Sequence, residues 1–134
     1  MVCKSRKKGR YFEHLLFWRF AKSGWYVIRA PGSGAGSSHL FYPDFICIKK
    51  GKILVVELKA RLDNRDLYIE KERYNKLLWI AGKTGGKALV CIYYKGLRDF
   101  RCLELENYDY TTNRYYVYKR SSFYKRGKKV EEVR

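Results

Sequence analysis

An α/β fold, a central mixed β-sheet flanked by helices, is what these 134 residues predict. Three observations carry the prediction. Two segments place apolar residues at helical spacing, and each is closed by glycine. Short apolar runs joined by Gly-containing connections lie between and after them. The pieces follow one another in the order αβββαββ, which calls for one sheet with a helix against each face. A chain of this length forms a single domain around one core, about residues 7–106, with no internal repeat.

Met1 to Lys8 is a basic arm, expected to be mobile. The first helix should run from about Gly9 to Lys22, because Phe12, Leu15, Leu16, Arg19 and Phe20 share one face and Gly24 supplies the stop. Trp25 to Arg29 reads as a strand. Ala30 to Leu40, rich in Gly and Ser, reads as a flexible loop. The next two strands, Asp44–Ile48 and Ile53–Lys59, form a hairpin about the polar connection Lys49-Lys50-Gly51-Lys52. Arg61 to Leu67 is a charged connector. The second helix runs from about Ile69 to Lys83, with Tyr74, Leu77, Leu78 and Ala81 as its apolar stripe and Gly85-Gly86 at its end. Ala88–Tyr94 and Phe100–Leu105 are strands joined by a turn at Lys95-Gly96. In the tyrosine-rich segment that follows, Tyr115 to Tyr118 form a short extra strand. From about Lys119 to Arg134 the chain reads as a disordered basic extension.

Charge narrows the partner. Thirty Lys and Arg stand against 13 Asp and Glu, a formal net charge of +17, so a polyanion is the natural ligand. Nucleic acid suits this better than a membrane, since no apolar run approaches the ~18 residues of a transmembrane helix. The basic opening is not followed by the apolar stretch of a signal peptide. Cys3, Cys47, Cys91 and Cys102 lack the spacing of a zinc site. Cys47, Cys91 and Cys102 lie in apolar strand runs and read as buried free thiols in a reducing, intracellular compartment.

Against that basic background the hairpin carries two acids. A four-residue connection pairs Ile48 with Ile53, and counting back along both strands sets Asp44 opposite Glu57; a two-residue turn at Lys50-Gly51 gives the same register. Glu57 and Lys59 then share a face, while Leu54, Val56 and Leu58 take the other. A lone Glu-x-Lys on a strand is usually a solvated face. Here the flanking runs are apolar on both sides, so the sheet is covered on both sides and a charge inside it needs a partner or a metal. Carboxylate oxygens suit Mg²⁺ or Mn²⁺. A lysine beside them can orient or deprotonate a water, or neutralise developing charge. That set of groups suits hydrolysis of a phosphodiester.

With Pro43-Asp44 and Glu57-Leu58-Lys59 on consecutive strands, the chain resembles the PD-(D/E)xK nuclease superfamily, whose core is restriction-endonuclease-like. Gly9-x-x-Phe12-Glu13, Arg29-Ala30-Pro31-Gly32-Ser33-Gly34, Leu67-Tyr68-Ile69 and Gly85-Gly86-Lys87-Ala88-Leu89-Val90 extend the likeness to the archaeal Holliday-junction resolvases, cellular or viral. It covers about Lys7 to Leu105; the tail after Glu106 departs from it. The resemblance implies a homodimer that uses Mg²⁺, or Mn²⁺, to place paired symmetric nicks in a four-way DNA junction, inside an archaeal cell or one infected by a virus. It implies a catalytic set of Glu13, Asp44, Glu57, Lys59 and Ser33. Metal would be held by Glu13, Asp44, Glu57 and the Leu58 carbonyl, and DNA by Arg10, Arg29, Ser33, Ser37 and Arg61.

Further readings stay beside these. Glu13 also suits a first-turn acid favoured by the helix dipole. His39 reads as a surface residue, and His14, beside Glu13, suits packing and chemistry equally. Gly32 to Ser38 lacks the Gly-Lys-[Ser/Thr] of a phosphate-binding P-loop and reads as a loop closing over DNA. Leu77, Leu78, Trp79 and Ile80 make the second helix more apolar than one core-facing stripe requires, and with Phe100 they are the candidate dimer face. The alternatives to junction resolution are a nuclease for flaps, mismatches or a specific duplex site, and a non-catalytic basic nucleic-acid-binding protein.

Overall fold

A single helix, α1, spans Val2–Lys22, so the basic opening is helical from Val2 rather than beginning at Gly9. The computed structural model describes residues 2–30, 41–60 and 65–134, with side chains from Arg10 onward in the first of these stretches. After α1 come β1 (Tyr26–Arg29), β2 (Phe45–Lys49), β3 (Lys52–Ala60), β4 (Leu67–Glu70), α2 (Lys71–Thr84), β5 (Lys87–Tyr94) and β6 (Asp99–Glu104). The chain ends with β7 (Tyr110–Thr111), β8 (Tyr115–Tyr118), α3 (Arg120–Arg126) and a 3-10 turn at Val130–Glu132.

The central sheet is mixed, five-stranded and ordered β1-β2-β3-β5-β6. β3 and β5 are parallel, because α2 returns the chain between them; the other neighbours are antiparallel. The β2–β3 hairpin closes through Lys50 and Gly51, both at positive φ (48° and 80°), the two-residue turn whose twist matches the strands it joins. Its ladder runs from Lys49↔Lys52 to Phe45↔Val56. α2 stops at Gly85, which takes the left-handed conformation at φ 73°.

Two apolar layers sandwich this sheet. On one side Phe12, Leu16 and Phe20 of α1 pack on Phe45, Cys47, Leu54, Val56, Leu89 and Phe100, with Leu58 at the margin. On the other, Tyr74, Leu77 and Ala81 of α2 pack on Val55, Val90, Ile92 and Leu103. β3 therefore sends its even-numbered side chains toward α1 and its odd-numbered ones toward α2, the alternation expected of a strand buried on both faces.

Four expectations are corrected. Leu67 to Glu70 form a strand rather than part of a connector and a helix, and they build a second sheet, β4-β8-β7. Its β8 is the expected Tyr115–Tyr118 strand, and β4 pairs with it over the whole of its length. The basic tail is folded: Phe123 and Val130 are fully buried, and Lys128 exchanges backbone hydrogen bonds of 2.8 Å with Cys102. Its charges sit at exposed positions while a few apolar side chains anchor it, a pattern too sparse to stand out among so many cations. Cys91 and Cys102 are not free thiols. They face each other in the β5–β6 register and form a disulfide, so the cysteines no longer argue for a reducing compartment. Cys47 stays free, and burial pushes its thiol up to about 12. Finally, Leu77 and Phe100 are fully buried within the protomer and are closed to a dimer partner. Among the described residues no helix is long and apolar enough to cross a membrane.

The folded tail gives a direct test. Phe123→Ala should lower stability to denaturant by about 3–5 kcal/mol, the cost of emptying a fully buried aromatic site. Urea unfolding checks it, and a loss under about 1 kcal/mol would mean that the tail is not packed.

Candidate active site

Register puts the acids together. Phe45 pairs with Val56, so the next step along the ladder sets Asp44 opposite Glu57 at the end of the hairpin. Asp44 and Ile46 lie on the α2 side of β2 by alternation, as Glu57 and Lys59 do on β3. The Leu58 backbone N–H donates to Asp44 Oδ2 at 2.7 Å, tying the start of β2 to β3. Lys59 Nζ stands 3.6 Å from Glu57 Oε2. The convergence of Asp44, Glu57 and Lys59 on one face is as expected from the hairpin.

Glu57 is 1% exposed, and a carboxylate so buried needs a cation. Arg73, in the first turn of α2, supplies it. Its guanidinium grips both carboxylate oxygens, Nε on Oε2 and Nη2 on Oε1 at 2.9 Å. The Phe41 ring lies against the guanidinium, 4.6 Å from centroid to Cζ, and completes the clamp. The sequence reading missed Arg73, although a signal was there. It precedes Leu77 and Ala81 by one and two helical turns, so it lies on the stripe that α2 turns toward the Glu57 face.

Asp44 has no such clamp. Burial first, and then the nearby Glu57 carboxylate, raise its pKa from 3.8 to about 7; the Leu58 N–H and the Arg73 charge pull the other way. The two carboxyls are within hydrogen-bonding contact, so Asp44 sits at the edge of ionisation. Such a pair fits a hard divalent cation, which removes the repulsion and takes oxygen donors. Both Glu57 oxygens are taken by Arg73, so a cation claiming one of them must draw it from the guanidinium.

Glu13 approaches from the other layer. It lies on α1 and pairs with Arg29 at 2.6 Å. Arg29 is the register partner of Phe45, and the Ala30 N–H donates to the Asp44 carbonyl at 3.1 Å, so this ion pair stands at the same end of the sheet. Among the described residues, no three His, Cys, Asp or Glu side chains are close enough to hold one metal together. Glu13 thus does not join Asp44 and Glu57 in a three-acid cluster; Arg29 holds it on its own side. Arg10, one turn before Glu13, is exposed. Ser33, Ser37 and Arg61 lie outside the described residues.

Residues 4–133 match the family described as archaeal Holliday junction resolvase (Hjc). The chain belongs to this resolvase family. Two relatives, the crossover junction endodeoxyribonucleases Hjc of Sulfolobus acidocaldarius and Sulfurisphaera tokodaii, are 37% and 34% identical to it over 84 residues, covering 62% of this chain and 57% of each relative. The relative of the same name from Methanocaldococcus jannaschii is 33% identical over 90 residues, 67% of this chain and 62% of the relative. The chain thus spans 57–62% of the length of these three relatives. The resolvase fold is plain in the Archaeoglobus fulgidus Hjc structure, which superposes with a TM-score of 0.80 over 92% of this chain and 98% of that one, at 24% identity.

Asp44 makes stability depend on pH. Its folded pKa, about 7, exceeds the ordinary 3.8, so its contribution is full below about pH 4 and is lost as pH rises through 7. Each pKa unit is about 1.4 kcal/mol, so the effect is on the order of a few kcal/mol. In metal-free buffer, Asp44→Asn should therefore gain thermal stability relative to the parent chain between pH 5 and pH 8. Melting curves that stay parallel over that range would remove the strain from this carboxylate.

Proposed function

We propose that the chain is a metal-dependent, structure-selective DNA endonuclease. On this reading it resolves four-way (Holliday) junctions by paired symmetric nicks, as a homodimer using Mg²⁺, with Mn²⁺ as a substitute. The observation that carries the reading is the opposed pair Asp44 and Glu57, with Lys59 beside it, at one end of a sheet in a chain of net charge +17. Family membership supports it, and so do the names of the relatives. The site of action is then wherever junction DNA is, inside the cell.

Asp44, Glu57 and the Leu58 carbonyl would hold the cation, with Glu13 serving its margin. When bound, a divalent cation neutralises phosphate charge and makes hydroxide available near neutral pH. The protein does the rest. Asp44, with its pKa raised to about 7, is partly ionised at neutral pH and can lose its remaining proton to serve as a ligand. Lys59, with its side chain about one-third exposed, can point its ammonium from Glu57 toward an incoming phosphate and either orient the attacking water or stabilise the charge that develops on phosphorus-bound oxygens. Arg73 steadies the orientation of Glu57. Arg29 and Arg10 would hold the cleaved strand, as would Ser33, Ser37 and Arg61; Ser33 would also serve catalysis.

A four-way junction yields two duplexes only when two strands are cut, and a two-fold dimer supplies two sites at a fixed spacing. Trp79, 65% exposed on α2, and its neighbours Leu78 and Ile80 are the remaining dimer-face candidates.

Asp44→Ala or Glu57→Ala should abolish junction cleavage in Mg²⁺ and leave binding within a few-fold, because phosphate contacts come mainly from Lys and Arg. Lys59→Ala should slow cleavage by at least about a hundredfold, at the low end of what a positioned acid–base group contributes. Denaturing gels and mobility shifts on a labelled immobile junction read both quantities. A variant that cuts at the parent rate would strike its residue from the site.

A further inference from the structure

The β4-β8-β7 sheet has one face that the core explains and one that it does not. Leu67, Ile69 and Tyr118 point into the α2-side core, and Tyr116 stacks on Tyr74 of α2 with ring centroids 3.7 Å apart. The opposite face carries Tyr68, Tyr110, Tyr115 and Val117. Register sets Tyr68 on one side of Val117 and Tyr110 on the other. The two phenols hydrogen-bond to each other, and the Tyr115 ring meets Tyr68 edge-on at 5.6 Å. Val117 beneath them is fully buried, yet Tyr68 and Tyr110 remain 44% and 40% exposed. One valine needs no cover of three tyrosines. Three rings held against one another on a sheet, with their outer surfaces in water, form a preformed aromatic surface.

Cations rim its ends: Arg114 lies in the β7–β8 turn, and Lys119 and Arg120 follow β8. The acids beside it have partners: Asp66 accepts from the Arg120 backbone N–H at 2.9 Å, Asp109 is held by Ser122, the Lys119 N–H and Arg126, and Glu70, opposite Tyr115 on this face, lies within the field of Arg73. β4 also runs straight into α2, which reaches Glu57 through Arg73 within its first turn. The surface and the acidic pair are therefore joined by a few residues of rigid structure. An exposed aromatic face can meet a second copy of the chain or unpaired bases. The rim decides between them: two copies of a +17 chain would bring like charges together, whereas the phosphates of a DNA strand complement those charges and its bases stack on the rings.

We propose that Tyr68, Tyr110 and Tyr115 form a stacking platform for unpaired bases of a DNA strand that leads into the Asp44–Glu57 site. This rests on the reading of the chain as a DNA endonuclease and adds to it a way of telling a junction, whose centre offers bases that can leave the stack, from continuous duplex. Sheet-borne aromatics take any base, since every base has a π-face, so the platform selects by structure and not by sequence.

The test uses the whole chain in EDTA, where nothing is cut, with 2-aminopurine placed in a single strand, at the crossover of an immobile junction, or inside a linear duplex. Binding should quench the first two probes and leave the third unchanged. Leucine at Tyr68, Tyr110 or Tyr115 keeps Val117 covered but removes the π-face. Each such variant should lose the quench and bind the single strand about 5- to 100-fold more weakly, while Phe at the same positions stays within about twofold. Folded Leu variants that bind and quench like the parent would overturn the proposal. So would Leu variants that sediment as monomers where the parent is a dimer, with binding per protomer unchanged, since the face would then belong to a second copy. Should one Leu variant fail to fold, the other two and the quench by the parent chain still decide. The parent chain's cleavage of the junction in Mg²⁺ is scored separately. Quenching without cleavage refutes the endonuclease reading and keeps the platform; cleavage without quenching does the reverse.

Discussion

A carboxylate with 1% of its surface in water is the constraint on which the rest of this fold depends. Glu57 sits inside a sheet covered on both faces, where an ionised side chain is tolerated only beside a cation. Arg73 meets that need, and in doing so it fixes α2 against β3 at one angular setting. Asp44 is brought against the same carboxylate by the hairpin register and by the Leu58 N–H. The Arg73 charge serves one acid fully and the other in part. The raised pKa of Asp44 follows from burial first and from the neighbouring Glu57 carboxylate second.

This asymmetry explains how a basic protein can keep an acidic centre. Cations lie on the surface, where water screens them and phosphate can reach them. The acids lie at the end of the sheet, Glu57 fully buried and Asp44 partly so, where their mutual repulsion is stronger than it would be in open water. Glu13 and Arg29 repeat the arrangement in miniature on the α1 side, with the acid satisfied inside the protein and the arginine 49% exposed.

Much of this was legible in the sequence, and the part that was not has physical causes. The hairpin register could be counted from the Lys50-Gly51 turn, because strand alternation has period two and leaves no freedom once the turn is fixed. The five-stranded sheet and the two helices followed from apolar periodicity. β4 escaped because four residues, Leu67 to Glu70, run directly into a helix with no turn to mark the boundary. The C-terminal segment escaped because Phe123, Val130 and Val133 are spaced too widely to form a periodic pattern, and their burial depends on contacts with strands far away in the chain. The cysteine pair lies eleven residues apart on neighbouring strands, so only the β5–β6 register reveals that the two face each other. Arg73 needed the three-dimensional argument that a buried acid on β3 must be answered from the helix covering it.

The central claim is that Asp44 and Glu57 are a strained acid pair built to take a divalent cation. Calorimetric titration of the metal-free chain with Mg²⁺ or Mn²⁺ at pH 7, repeated in buffers of different ionisation enthalpy, tests it most directly. With Asp44 poised near pH 7, binding should release about half a proton per site, and Asp44→Asn should abolish that release. Binding with no proton release, or release that survives in Asp44→Asn, would contradict the account.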